Sequence, residues 1–186
     1  MLKNGVLKMK NEEQIKKDIE TTFGELVKVH IKRRHRIKVD APKNMTLPIL
    51  AYLKQRGFHQ FTLLTCVDWI KKGMFELVYN LYSLDYNVHV LVSTHINREN
   101  ESMPTAINIY EMAFDYEREI HEMFGVEFEG HPRLGEFLLE DWKGMPPMRK
   151  DFDTRAYVEE KFNVKDLTKE LFTRKEQPYR GPGSNG

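Results

Sequence analysis

The stretch Tyr116-Glu117-Arg118-Glu119-Ile120-His121-Glu122-Met123-Phe124-Gly125-Val126-Glu127-Phe128-Glu129-Gly130-His131-Pro132 decides how this chain is read. Ile109, Met112 and Ala113 upstream, then Tyr116, Ile120, Met123 and Phe124, recur at the three-and-four spacing of one helical face. That spacing predicts a helix packed on a core and beginning near Pro104 or Thr105. Gly125 supplies its stop, because a residue without Cβ takes the left-handed conformation that closes a helix. Beyond it, Val126-Glu127-Phe128 alternates as a short strand does. Ile107, Tyr110 and Phe114 form a second apolar set on the flank that also carries Glu117 and His121. The helix is therefore expected to be covered by more than one layer, from this chain or from a partner.

Glu117 and Glu119 are two apart and point to nearly opposite sides, so they make a poor acid-base pair. Arg118 is within helical reach of Asp115 and Glu122, and Glu117 of His121.

Glu-Arg-Glu from Glu117, Phe-Gly-Val from Phe124, Gly-His-Pro from Gly130 and, further on, Arg149-Lys150-Asp151-Phe152 together resemble the NuoC-like family. That family is the 30 kDa peripheral-arm subunit of NADH:quinone oxidoreductase, with relatives in membrane-bound hydrogenases. The resemblance is dense from Glu117 to Phe152 and fits the element order from about residue 12. Glu122 stands where respiratory members usually carry Asp, Met148 where Leu is usual, and Asp153 where Pro commonly follows. Glu140-Asp141-Trp142 looks more like the hydrogenase-side relatives.

The resemblance implies an accessory subunit without a catalytic site, docked on a large catalytic subunit of hydrogenase-large-subunit or NuoD-like type, beside iron–sulfur subunits. Glu117, Arg118, Glu119, His131, Arg149, Lys150 and Asp151 are its expected partner contacts, and Gly125, Gly130 and Pro132 its structural motif. A nickel–iron site and iron–sulfur clusters would belong to partner subunits. This chain is expected to hold no cofactor or metal, and to meet the cytoplasmic face of the membrane only through the complex. A hydrogenase-type complex is favoured; a sulfur-reducing or NADH:quinone-reducing one is the alternative.

Composition is consistent with that role. Charged residues make up 31% of the 186-residue chain, above the roughly 25% of ordinary soluble domains, yet the net charge is only +1. Such a balance argues against nucleic-acid binding driven by bulk charge. Cys66 is the only cysteine, which excludes an internal disulfide and an all-cysteine iron–sulfur cluster. It reads as a small buried apolar residue. No apolar run approaches the roughly 20 residues that cross a bilayer.

An α+β domain is expected over residues 11–148, with an antiparallel or mixed sheet and packed helices, between a flexible start at residues 1–10 and an extended, partner-wrapping C-terminal tail at residues 149–186. Asn11 is a candidate cap for a helix carrying Ile15, Ile19 and Phe23. Leu26–Ile31 and Arg36–Val39 alternate as strands, and Met45–Arg56 reads as a helix with Pro48 in its first turn. Phe58–Trp69, Phe75–Tyr82 and Val88–His95 then predict an antiparallel meander. Asp68 reads as a strand-end cap or an interface group. His89 and His95 sit six apart on one strand, too far to share a metal, and the remaining histidines show no ligand spacing.

Two other classes compete. Glu117 with His121 would be the acid and base of a free-standing enzyme, although no phosphate loop, serine elbow or metal motif supplies a substrate. The basic cluster Lys32-Arg33-Arg34-His35-Arg36 would serve an RNA-binding module; its plainer reading is a protected sheet edge, with a basic docking surface as a third.

Overall fold

The computed structural model describes the backbone of residues 3–100 and 102–162, and side chains from Asn11 onward. Its elements are α1 (Lys3–Phe23), β1 (Lys28–Arg33), β2 (Arg36–Asp40), α2 (Lys43–Gln55), β3 (Gln60–Trp69), β4 (Met74–Ser83), β5 (Val88–Asn97), β6 (Ser102–Pro104), α3 (Ala113–Phe124), β7 (Glu127–Glu129) and α4 (Thr154–Phe162).

Period-two alternation builds the main sheet, because successive side chains of a strand point to opposite faces. On β4, Phe75, Leu77, Tyr79 and Leu81 are buried, and Val88, Val90, Val92 and Ile96 of β5 join them. The expected meander β3-β4-β5 is present as two antiparallel pairings. The β1–β2 hairpin then joins through a parallel β2–β5 pairing, which gives the order β1-β2-β5-β4-β3 and a mixed sheet. Helices α1, α2 and α3 supply Ile15, Ile19, Ile49, Leu50, Leu53, Ile120 and Phe124 to one continuous core. Cys66 lies inside it, and burial pushes its thiol up to about 12.

Two expectations are corrected. First, α3 begins at Ala113, and residues 105–112 form successive turns. Pro104 is held in β6 by pairing with Glu129 of β7, and the Thr105 N–H continues that ladder to the Glu129 carbonyl at 2.9 Å. Backbone committed to a strand cannot start a helix there. Met112, expected on the buried side, is 62% exposed. Second, α1 starts at Lys3, ahead of Asn11.

The first compact unit runs from Met1 to Asp151 and includes Arg149-Lys150-Asp151. In the second unit, Phe152–Gly186, Thr154–Phe162 is helical. The Asp153 carboxylate receives the N–H groups of Arg155 and Ala156, both at 3.0 Å, and so caps α4. The rest of the expected tail lies outside the described residues.

Candidate protein interface

Helix α3 separates its charged residues by depth. Glu117 is 0% exposed, its carboxylate receiving the Thr105 hydroxyl at 2.5 Å and the Ala106 N–H at 2.7 Å. Burial pushes this carboxyl up to about 7, although both hydrogen bonds favour its charged form. Glu117 thus ties α3 to the turn at residues 105–112, and it has no surface to offer a partner. Its expected neighbour His121 instead approaches the Val126 carbonyl at 3.0 Å and Glu127 at 3.4 Å. Glu117 and His121 do not form an acid-base pair. Glu119 is exposed.

Arg118 and Glu122 hold down the loop that follows β7. The Arg118 guanidinium donates to the Glu136 carbonyl at 2.8 Å, lies 4.3 Å from the Phe137 ring centre and keeps the expected Asp115 within 3.7 Å. The Glu122 carboxylate receives three consecutive backbone N–H groups, from Phe137 and Leu138 at 2.8 Å and Leu139 at 3.2 Å. Burial opposes its charge, but these bonds and nearby Arg118 hold its carboxyl below the usual range.

The far end of the loop is fixed by the Met148 N–H on the Met123 carbonyl at 3.0 Å. Gly125 closes α3 at φ 78°, its N–H on the His121 carbonyl at 2.8 Å. A Cβ there would meet Pro146 Cγ at 3.1 Å, so the glycine answers both a left-handed turn and a close approach.

This anchored loop turns apolar groups outward: Leu138 is 57%, Met145 45% and Met148 58% exposed. Trp142 donates its indole N–H to the Met145 carbonyl at 3.1 Å. Apolar side chains presented on backbone that is itself hydrogen-bonded down form a surface suited to another protein.

Beside the loop, Arg149, Lys150 and Asp151 turn back onto their own domain. Asp68 pairs with Arg98 at 3.0 and 3.2 Å and receives the Lys150 N–H at 2.9 Å, while Asp151 pairs with the same guanidinium. Arg149 donates to the Arg98 carbonyl at 2.9 Å and lies over the Phe75 ring at 5.4 Å. The two-point pairing to a carboxylate belongs to Arg98, and Arg149, Lys150 and Asp151, expected as partner contacts, all bond within their own domain.

His131 is half-buried, its ring tilted against that of Phe114 with centroids 4.7 Å apart. One ring nitrogen meets the Phe114 carbonyl at 3.0 Å, while Nδ1 receives the Arg133 N–H at 3.1 Å. Gly130, at φ 82°, and Pro132 flank that turn.

The structure therefore gathers Arg118 and Gly125 under the loop, and Arg149–Asp151 at Asp68. Sequence reasoning left Arg98, Leu138 and Met145 without a role. The triplet of N–H groups on Glu122 had no local signal. Among the described residues no three His, Cys, Asp or Glu gather as a metal site would need, and no helix is long and apolar enough to cross a membrane.

The family described as "Respiratory-chain NADH dehydrogenase, 30 Kd subunit" matches residues 37–158. The C-type NADH-quinone oxidoreductase polypeptide of Rickettsia prowazekii is 38% identical over 145 residues, which span 75% of this chain and 72% of that protein. An Acinetobacter baylyi protein whose name joins the C and D polypeptides of NADH-quinone oxidoreductase is 36% identical over 120 residues, 64% of this chain and 19% of its own length. Among solved structures, a chain of the membrane-bound sulfane sulfur reductase, an archaeal respiratory membrane complex, superposes with a TM-score of 0.78 at 35% identity, covering 85% of this chain and 94% of that one. These matches define the class as a subunit of a respiratory redox complex. The chain belongs to the family of the 30 kDa subunit of respiratory-chain NADH dehydrogenase.

Proposed function

We propose that this chain is a non-catalytic subunit of a membrane-associated redox complex and that its Leu138–Met148 loop docks on the large catalytic subunit. The observation that carries this reading is the loop itself. It exposes Leu138, Met145 and Met148 while Arg118, Glu122 and the Met123 carbonyl hold its backbone in place. The joint C/D name of the Acinetobacter relative supports a large subunit of D type as the neighbour. In this reading, nickel–iron or iron–sulfur groups sit in partner chains, and the protein reaches the cytoplasmic face of the membrane through them.

The extent of the match to the sulfane sulfur reductase chain supports a reductase of that kind. The hydrogenase-type assembly expected from Glu140-Asp141-Trp142 uses the same docking role. Purification of the native complex through a tag on this chain separates the two: nickel with hydrogen evolution marks one, reduction of sulfane sulfur the other. In the same purification, Leu138→Gln with Met148→Gln is expected to release the large chain while leaving the melting temperature of the isolated subunit unchanged. Full retention of the large chain by that variant would overturn the docking assignment.

A further inference from the structure

We propose that the outer edge of β1, together with its turn into β2, is a second docking site, which accepts an extended, carboxylate-rich segment of a neighbouring protein as an added strand. Strand β1 is the last of the five-stranded sheet, so one side of its backbone faces no other strand among the described residues. Among the described residues no backbone group of Lys28–Arg33 makes a hydrogen bond outside the β1–β2 ladder.

Val29 is buried and Ile31 half-buried on the core side, while Lys28 and His30 alternate on the other, roughly 6.6 Å apart at about 3.3 Å per residue, and exposed Lys32 follows where the register shifts between Ile31 and Arg33. A strand laid along this edge brings its own alternate side chains to that spacing, which matches a run of acidic residues at every second position.

Charge makes the match specific. His30 and Lys38 already have Asp40, at 3.8 and 2.9 Å, and Lys38 also has Glu76 at 2.9 Å. Lys28, Lys32, Arg33, Arg34 and Arg36 have no carboxylate at ion-pair distance among the described residues. Arg33 stands directly opposite Arg36 in the register, where like charges destabilise a sheet. The turn is also held in place, since the His35 N–H binds Glu12 at 2.7 Å and its ring meets the Asn87 carbonyl at 2.5 Å.

Edge cations ordinarily repel a stray strand. Five uncompensated ones admit an acidic strand and refuse others. No Phe, Tyr or Trp lies between Leu26 and Asp40, so the edge lacks the stacking platform that single-stranded nucleic acid needs. A free backbone edge is a feature that a strand uses and a lipid surface does not.

The test uses the full chain and a labelled alternating Thr-Glu peptide, read by fluorescence anisotropy. Binding is expected to weaken about tenfold when Lys28→Gln, Lys32→Gln and Arg34→Gln are combined, with the melting temperature retained. A similar loss is expected for the peptide N-methylated at alternate residues, which keeps its charge and loses its donors. Absence of peptide binding, equal binding of the methylated peptide, or equal binding of an RNA oligomer or phosphatidylglycerol vesicles would overturn the proposal. Because the edge lies on different elements from the loop beside α3, this outcome is independent of the large-subunit test.

Discussion

Asp68 at the end of β3 and Arg98 just beyond β5 form a two-point ion pair at 3.0 and 3.2 Å, with only 2% and 7% of their side chains exposed. Burial works against the Asp68 charge, but the Arg98 guanidinium and the Lys150 N–H hold its carboxyl below the usual range. The same guanidinium binds Asp151. One cation therefore fastens the last residues of the domain to its sheet.

Replacing Asp68 by Asn leaves a buried guanidinium with Asp151 as its remaining carboxylate. The expected cost is about 3 kcal/mol, read by urea denaturation. Hydrogen exchange of the Lys150 amide should rise in the same variant. An unchanged exchange rate there would show that Asp68 does not retain this segment.

Glu76 gives the fold an acid limit. Burial raises its carboxyl, yet hydrogen bonds from Ser93, Lys38 and Trp69 outweigh that and bring it down to about 2. A depressed folded value means stability that is complete above about pH 4.5 and lost as pH falls toward about 2. Glu76→Gln should cost up to about 3 kcal/mol near neutrality, and the difference from the natural chain should disappear near the acid end.

Glu117 acts with the opposite sign. A carboxyl raised to about 7 favours the folded state most below about pH 4.5, and this contribution fades as pH rises through about 7. Burial raises the phenol of Tyr79, and the same carboxylate charge adds to that rise. Glu117→Gln should remove this pH dependence and gain up to about 3 kcal/mol relative to the natural chain at alkaline pH. Stability curves that stay parallel from about pH 4.5 to about pH 8 would rule it out.

Glu122→Ala removes the acceptor shared by Phe137, Leu138 and Leu139. Their amides should exchange about tenfold faster or more, since each hydrogen bond to a charged group is worth about 1.5–3 kcal/mol. Global unfolding should change little, because Glu122 anchors a loop and lies outside the core. Retention of the large chain in a native pull-down should fall along with amide protection.

Gly125→Ala should destabilise the domain by about 1–2 kcal/mol, since a side chain at φ 78° is strained and its Cβ would press on Pro146. A thermal melt reads this directly. Gly73→Ala, also at positive φ but with open space around it, serves as the control that isolates the Pro146 contact.

Alternating residues made β3, β4 and β5 legible without coordinates, because a strand's period of two marks its buried face locally. Gly125 announced the end of α3 for an equally local reason. The start of α3 was misread because the apolar spacing continues upstream through residues that β6 and Glu117 hold in other conformations. Only tertiary structure decided that Glu117 is buried while Glu119 is exposed, that β2 pairs parallel to β5, and that Arg98 reaches both Asp68 and Asp151. Periodicity tells each residue which side of its own element it occupies. Which distant carboxylate, carbonyl or strand lies across from it follows from how the elements pack.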